Sequence, residues 1–268
     1  MNKKENDVVR LKEIHETAVV HPNAEIAKDV KIGPYAIIGE HVKIGEGTEV
    51  GAHAVIRGWT RIGENNEIFN SASIGQEPQD LKFQGEKSFL EIGANNTFRE
   101  FTTIHRGTEE GGGVTKIGSG NLFMAYTHVA HDCEVGDDIV MANSATLAGH
   151  VEVEDSAVIG GLSGVHQFVR IGKMAMVGGD SKVVKDVPPY VLVDGHPASA
   201  NGINAVGLRR NDVEPEVRQK IKEAYRILYR SNLNVSEAIE KMDQELDNSD
   251  MVEYFLRFLR NAQRGICK

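Results

Sequence analysis

Hydrophobic positions recur along this chain with a period of six. From Ile14, steps of six land on Val20, Ile26, Ile32, Ile38, Ile44, Val50, Ile56, Ile62, Ile68 and Ile74, all of them β-branched aliphatics. The spacing resumes at Ile92, Phe98 and Ile104. It resumes once more at Ile117 and runs through Phe123, Val129, Val135, Met141, Leu147, Val153, Ile159, Val165, Ile171 and Val177 to Val183. Two residues before the marked position a small or β-branched side chain recurs, as at Ala18, Ala24, Val30, Ala36, Val42, Thr48, Ala54 and Thr60. A six-residue period is not that of an amphipathic helix. It suits a short strand plus a turn. Three such units close one triangular coil of about 18 residues, and stacked coils form a parallel β-helix. The marked aliphatic then points into the prism and the small residue fits the tight corner. Glycine after the marked residue, as in Ile32-Gly33, Ile44-Gly45 and Ile62-Gly63, permits the turn.

Two stretches break the period, residues 75–91 and residues 105–116. Each is expected to loop out of the prism wall, and loops on a rigid scaffold are favoured places for function. The period ends near Asp186. Residues 191–268 read as a linker and a small helical domain. Pro215 starts a helix whose apolar residues Val217, Ile221, Ala224, Ile227 and Leu228 share one face. Ser236 and Ser249 are the expected N-caps of two further helices, and Gly265 the terminator. The β-helix is assigned to residues 14–190, and residues 1–13 are left as an N-terminal extension.

Composition narrows the function. The 268 residues carry a formal net charge of −9 without a basic block, which argues against a nucleic-acid partner. The two cysteines, Cys133 and Cys267, do not make a disulfide scaffold. The charged N-terminus lacks the apolar stretch of a signal peptide, and no apolar run is long enough to span a bilayer, so a cytoplasmic protein without a transmembrane segment is expected.

Candidate chemistry gathers in "THVAHDC", residues 127–133. Positions 18 apart stack on successive rungs, so Val129, Leu147 and Val165 form one column, and His128, His131, His150 and His166 fall beside it. None occupies the inward position. Three imidazoles can bind zinc and leave a site open for water, as in a carbonic-anhydrase-like β-helix. Alternatively one histidine works as a general base. Asp132 could orient the His131 ring, provided that a corner turns the two side chains to the same side. Cys133 as nucleophile is a third option. A purely structural solenoid would want a flat threonine face, which the repeat does not show.

The stretches "QDLKF", "TIHRGTEEGGG", "HVAHDCEVG", "ANSATLAGHVEV", "GVHQFVRIG", "MVGGDS" and "DVPPYV" resemble the motifs of the UDP-N-acetylglucosamine acyltransferase family, from about Ile14 to the C-terminus. The resemblance implies a left-handed parallel β-helix of hexapeptide repeats with a C-terminal α-helical domain. It also implies a homotrimer with active sites between subunits and no cofactor. The implied reaction moves a 3-hydroxyacyl group from acyl carrier protein to the 3-hydroxyl of UDP-N-acetylglucosamine, the first step of lipid A biosynthesis. By resemblance His131 is the general base, Asp132 its partner, and the Gly149 N–H the oxyanion donor. Asp80, Lys82, His105, His128, His150, His166, Gln167, Asn204 and Arg210 match positions that hold or orient substrate. Asn211 stands where the family often has a second basic residue. Gly179 matches the position that limits acyl length, and glycine there implies room for a long chain. A related N-acyltransferase would carry an extra N-terminal domain, for which the repeat begins too early.

Overall fold

A computed structural model describes residues 13–246 and 249–268; the expected N-terminal extension, apart from Glu13, lies outside the described residues. Two-residue strands alternate with turns, and every third strand belongs to the same sheet. Three parallel sheets result. Face A carries the marked residues Ile32, Val50, Ile68 and Phe98, face B carries Ile38, Ile56, Ile74 and Ile104, and face C carries Ile44, Ile62 and Ile92. Together they wind into a left-handed parallel β-helix. The axis is filled by the marked aliphatics and by the small column, with Val30, Ala36, Val42 and Ala54 fully buried. In the first coil Ile14 is exposed, unlike the marked residues of the later coils.

The turns explain the tolerance of the repeat. One residue in most corners has positive φ, and many of these are not glycine: Asp29, Tyr35, His53, Asp132, His150 and Phe168 all lie between 55° and 63°. Such residues cost conformational energy, which the continuous ladders of adjacent rungs offset. The C-to-A corner has a second device. Asn66, Asn96 and Asn121 are buried there, each two residues before a marked position. The Asn66 side-chain oxygen accepts from the Asn96 backbone and side chain at 2.9 Å each, and that of Asn96 accepts from the Asn121 N–H at 2.9 Å. Their amide groups donate to the carbonyls of Gly93, Gly118 and Gly136. This asparagine ladder satisfies polar groups that no solvent reaches.

Both interruptions leave the prism at the B-to-C corner, as loops between Gln76 and Phe89 and between His105 and Val114. They lengthen two coils, so that Ile74 pairs with Ile104 and Ile104 with Val129, separations of 30 and 25 residues.

The linker expected after residue 190 differs from the structure. Val191–Gly195 adds one more strand to face A, and Ala198–Ile203 folds back antiparallel on it. Alternation of buried Val191 and Val193 with less buried Leu192 is the period-two signal of that strand. Among the described residues four helices follow: α1 (Ala205–Arg210), α2 (Pro215–Arg230), α3 (Val235–Glu245) and α4 (Asp250–Arg260). Pro215 opens α2 and Ser249 precedes α4 as expected. Ser236 is not a cap. Asn234 takes that place, accepting from the Glu237 N–H while the Glu237 carboxylate returns to the Asn234 N–H. Gly265 does not end α4, whose C-cap is Asn261; it bends the tail beyond it at φ +67°. The helices rest on the last coils, where the Tyr254 hydroxyl donates to Glu154 at 2.9 Å.

Candidate active site

The B-to-C corner brings together the titratable groups of "THVAHDC". Asp132 sits at the positive-φ position of its turn, which swings its side chain back to the side of His131. His131 Nδ1 lies 2.7 Å from the Asp132 carboxylate, which is itself buried. Thr108 holds the same carboxylate from the second loop, its N–H donating to one oxygen and its hydroxyl to the other, both at 2.7 Å. Burial alone would raise the Asp132 pKa, but the bonds from His131 and Thr108 outweigh it and hold the group below the usual carboxylate range. Glycine makes this approach possible. A Cβ on Gly111 would lie 2.0 Å from the Asp132 carboxyl carbon, and one on Gly107 would lie 2.7 Å from an Asp132 oxygen.

One rung on, Gly149 lies under the His131 ring. A Cβ there would come within 2.6 Å of Cε1, so the absence of a side chain fixes where the imidazole rests. Among the described residues the Gly149 N–H has no acceptor, unlike the N–H groups of Ala148 and His150 on either side. The His150 ring meets His131 edge-on with centroids 5.2 Å apart, and stacks on Phe168 at 4.4 Å. His128 sits edge-on to His105 at 4.9 Å, with its Nδ1 2.7 Å from the Thr103 hydroxyl. Burial is the largest cause lowering the pKa of His105, His128 and His150, and brings His105 to about 4. These three rings are neutral near pH 7.

Not every expected group joins this cluster. His166 is exposed, with Nδ1 near the Gln167 carbonyl and the Arg264 guanidinium, and stands apart from the other rings. His105 takes the fourth place, because the inserted loops change which residues stack. Cys133 is fully buried, its thiol pushed up to about 12 by desolvation and donating to the Ala148 carbonyl, so it offers no thiolate. His131, Asp132 and His150 have ligand atoms within 4.8 Å of one another. Their geometry is that of a hydrogen-bonded pair and not of a metal centre. His131 Nδ1 and the Asp132 oxygen are 2.7 Å apart, closer than the ~3.3 Å between tetrahedral zinc ligands. The same oxygen also accepts from Thr108.

The sequence and the fold both have close counterparts. Residues 186–267 match the family model described as UDP-N-acetylglucosamine O-acyltransferase, domain 2, and residues 12–45 match that of the bacterial transferase hexapeptide. The acyl-[acyl-carrier-protein]–UDP-N-acetylglucosamine O-acyltransferase of Thiobacillus denitrificans is 52% identical over 95% of this chain and 99% of its own. The Francisella novicida UDP-N-acetylglucosamine acyltransferase superimposes with a TM-score of 0.92 at 43% identity, covering 95% of this chain and 93% of that one. That of Moraxella catarrhalis gives 0.91 at 44%, covering 95% and 99%. The chain belongs to the UDP-N-acetylglucosamine O-acyltransferase family. It is an acyltransferase.

The remaining positions matched to this acyltransferase family are divided between the first loop, the rungs beyond Gly149, the tail and another edge of the prism. Asp80 and Lys82 sit in the first loop, where Asp80 accepts from the Lys82 N–H and the Lys82 ammonium pairs with Glu110 at 2.7 Å. Leu81 between them is fully exposed. Gln167 is exposed beside Phe168. Asn204 is buried, capping α1 through Gly207 and donating to the Met174 carbonyl, so both ends of its amide are engaged. Arg210 is exposed in the last turn of α1. Gly179 lies on the A-to-B corner, a different edge of the prism from His131. A Cβ there would meet only the Gly161 carbonyl, at 3.4 Å. That edge also carries exposed Tyr35, Phe101, Tyr126 and Leu162. Thr108, Thr103 and Phe168, which contact Asp132, His128 and His150 respectively, have no signature in the sequence beyond their proximity to the motifs.

Proposed function

We propose that this chain transfers a 3-hydroxyacyl group from acyl carrier protein to the 3-hydroxyl of UDP-N-acetylglucosamine, opening lipid A biosynthesis in the cytoplasm. Its relatives are named as acyl-[acyl-carrier-protein]–UDP-N-acetylglucosamine O-acyltransferases, which supports the donor, the acceptor and the transfer to oxygen. The observation that carries the mechanism is the 2.7 Å contact between His131 Nδ1 and the buried, twice-anchored Asp132 carboxylate. Asp132 keeps the proton on Nδ1, which leaves Nε2 as the acceptor. Nε2 takes the proton of the sugar hydroxyl as that oxygen attacks the thioester carbonyl. The carbonyl oxygen gains charge and is met by the free Gly149 N–H, a donor of a kind that contributes about 3 kcal/mol to barrier lowering. The intermediate collapses, the carbon–sulfur bond breaks, and the imidazolium returns its proton to the leaving thiolate. His128 and His150, neutral and partly buried, orient substrate through hydrogen bonds without competing for the proton. Among the described residues no helix is long and apolar enough to cross a membrane.

The same reading calls for three copies. Gly179 and His131 stand on different edges of one prism, and the exposed apolar edge beside Gly179 suits contact with another copy of the chain. An acyl chain that leaves His131 of one copy then runs along the Gly179 edge of the next. Ultracentrifugation at micromolar concentration is expected to give a trimer; a monomer would remove this part of the proposal. The chemical test is His131→Ala. The rate of acyl transfer from carrier protein to UDP-N-acetylglucosamine should drop by about 10² to 10⁴, with thermal stability and assembly unchanged. A fully active variant would end the assignment of the base.

A further inference from the structure

The peptide group that carries the proposed oxyanion donor is held from behind by a thiol. Cys133 is fully buried, and its Sγ donates to the Ala148 carbonyl at 3.2 Å. That carbonyl and the Gly149 N–H belong to one peptide group. In a planar trans peptide the two point in opposite directions. An oxygen turned inward to Cys133 therefore turns the Gly149 N–H outward, and among the described residues that N–H has no acceptor.

The other corners of the prism show what the thiol replaces. In a plain corner the N–H of the last turn residue closes on the carbonyl of the first, as Ala145 does on Ala142 at 3.0 Å and Val169 on His166 at 3.3 Å. The equivalent bond from Val151 to Ala148 is absent among the described residues. Cys133 fills the opening, with the Val151 N–H toward its sulfur and its own proton on the Ala148 oxygen. Three other open corners are bridged from the same position, two residues before the marked aliphatic. Thr48 joins the Asn66 N–H to the Gly63 carbonyl, Asn121 the Ile139 N–H to the Gly136 carbonyl, and Ser163 the Ser181 N–H to the Gly178 carbonyl. Gly149 makes such a bridge more necessary, since a glycine beside a peptide plane leaves the plane free to rotate. The ladder bonds from Ala148 N–H to Val165 and from Phe168 N–H to the Gly149 carbonyl hold the peptides on either side, but not this one. Burial pushes the Cys133 thiol up to about 12, so near neutral pH it keeps its proton and remains a donor.

We propose that Cys133 is a positioning residue for acyl transfer, whose thiol fixes the Ala148–Gly149 peptide plane and so aims the Gly149 N–H at the developing oxyanion. The inference rests on the acyl-transfer reading above. A hydrogen bond on the oxygen also draws charge through the amide and makes its N–H a better donor.

Two substitutions separate the donor from the volume that it fills. Cys133→Val keeps the bulk and loses the donor, and valine suits this column, where Val151 and Val169 are fully buried on the next rungs. Cys133→Ser keeps a donor and loses bulk. In Cys133→Val, kcat is expected to fall about fivefold, the loss of one modest hydrogen bond. KM for acyl carrier protein and for UDP-N-acetylglucosamine should stay within about twofold of wild type. Cys133→Ser should recover most of kcat even where it lowers thermal stability. The acid limb of the pH profile should not move in either variant, because His131 and Asp132 are untouched. An active Cys133→Val beside an impaired Cys133→Ser would reduce the residue to packing and overturn the proposal. So would wild-type kcat in both, or an acid limb that moves with the rate.

A second measurement needs no turnover. Ala148–Gly149 is the one Ala-Gly step in the sequence. Deuterated protein with carbonyl-labelled alanine and nitrogen-labelled glycine therefore gives a single carbonyl-to-nitrogen correlation by nuclear magnetic resonance, from this peptide alone. In the free protein Cys133→Val should move the carbonyl carbon and the amide proton upfield, while Cys133→Ser keeps both near their wild-type positions. A signal that does not move in Cys133→Val would reject the hold of the thiol on the peptide. Should the wild-type protein transfer no acyl group, the acyl-transfer reading fails by itself, and this signal still decides whether Cys133 sets the peptide.

Discussion

Two corners of this prism bury polar side chains in opposite ways. At the C-to-A corner, Asn66, Asn96 and Asn121 form a closed ladder whose oxygens and amides find partners on the neighbouring rungs. At the B-to-C corner, Asp132 is fully held, but His105 Nδ1 and Arg106 Nε are not, and the Gly149 N–H has no acceptor. The same scaffold, with the same pitch, makes an asparagine ladder whose side chains need nothing further and, among the described residues, a reactive corner that keeps hydrogen-bonding capacity in reserve. A satisfied network rigidifies; an unsatisfied one marks the place where substrate completes the structure.

Substitutions should separate the two corners cleanly. The largest effect is expected from Asn96→Ala, which strands the Asn121 N–H and the Gly118 carbonyl inside the prism. Two buried groups without partners should cost about 3 kcal/mol, read as a lowered urea midpoint at fixed protein concentration, while kcat per folded molecule stays at the wild-type value. Gly149→Ala is expected to do the reverse. The new methyl group would collide with the His131 ring, and kcat should fall about 30-fold with little change in the urea midpoint. Loss of stability without loss of rate in that variant would erase the contrast between the corners.

The smallest effect is one of pH. His105, His128 and His150 have depressed pKa values in the folded protein, first through burial, and His105 is brought to about 4. Below the unfolded value of about 6.5, the unfolded chain binds protons that the folded one refuses. Stability should therefore be complete above pH 7 and decline as the pH falls from about 6.5 toward 4. His105→Phe should flatten that slope, and Asn96→Ala should not. An unchanged slope in His105→Phe would show that the ring is not kept neutral by its surroundings.

Much of the architecture is legible in the sequence, because one column of aliphatics dictates it. A residue such as Ile38 or Val153 can be placed inside the prism from its phase alone. The hairpin at 191–203 is not legible in that way, since it abandons the six-residue period for a period of two. The cap of α3 falls on Asn234 and not on Ser236, since a serine two residues inside the helix resembles a cap in sequence and only the reciprocal bond from Glu237 singles out Asn234. The reactive corner was visible in outline. Counting rungs by 18 places His131 over Gly149 and Asp132 over His150. It also admits His166 and leaves out His105, because separations of 30 and 25 residues across the two loops break the count. The asparagine ladder escaped for a different reason. The column two residues before the aliphatic reads as small or β-branched over the first coils, and nothing local says that Asn66 can enter it once Asn96 stands above to share its bonds.

Asn143, Gly161 and Gly179 follow one another on successive rungs of the A-to-B corner, and only the glycines leave that edge bare. The proposed path for the acyl chain thereby becomes a graduated scale. A side chain introduced at Gly179 or at Gly161 would stop the chain at marks one rung apart, about 4.8 Å, which is several carbons of an extended chain. Length selection on such a scaffold moves in whole rungs. A single substitution would exchange one set of chain lengths for another and would not trim the existing set by one carbon.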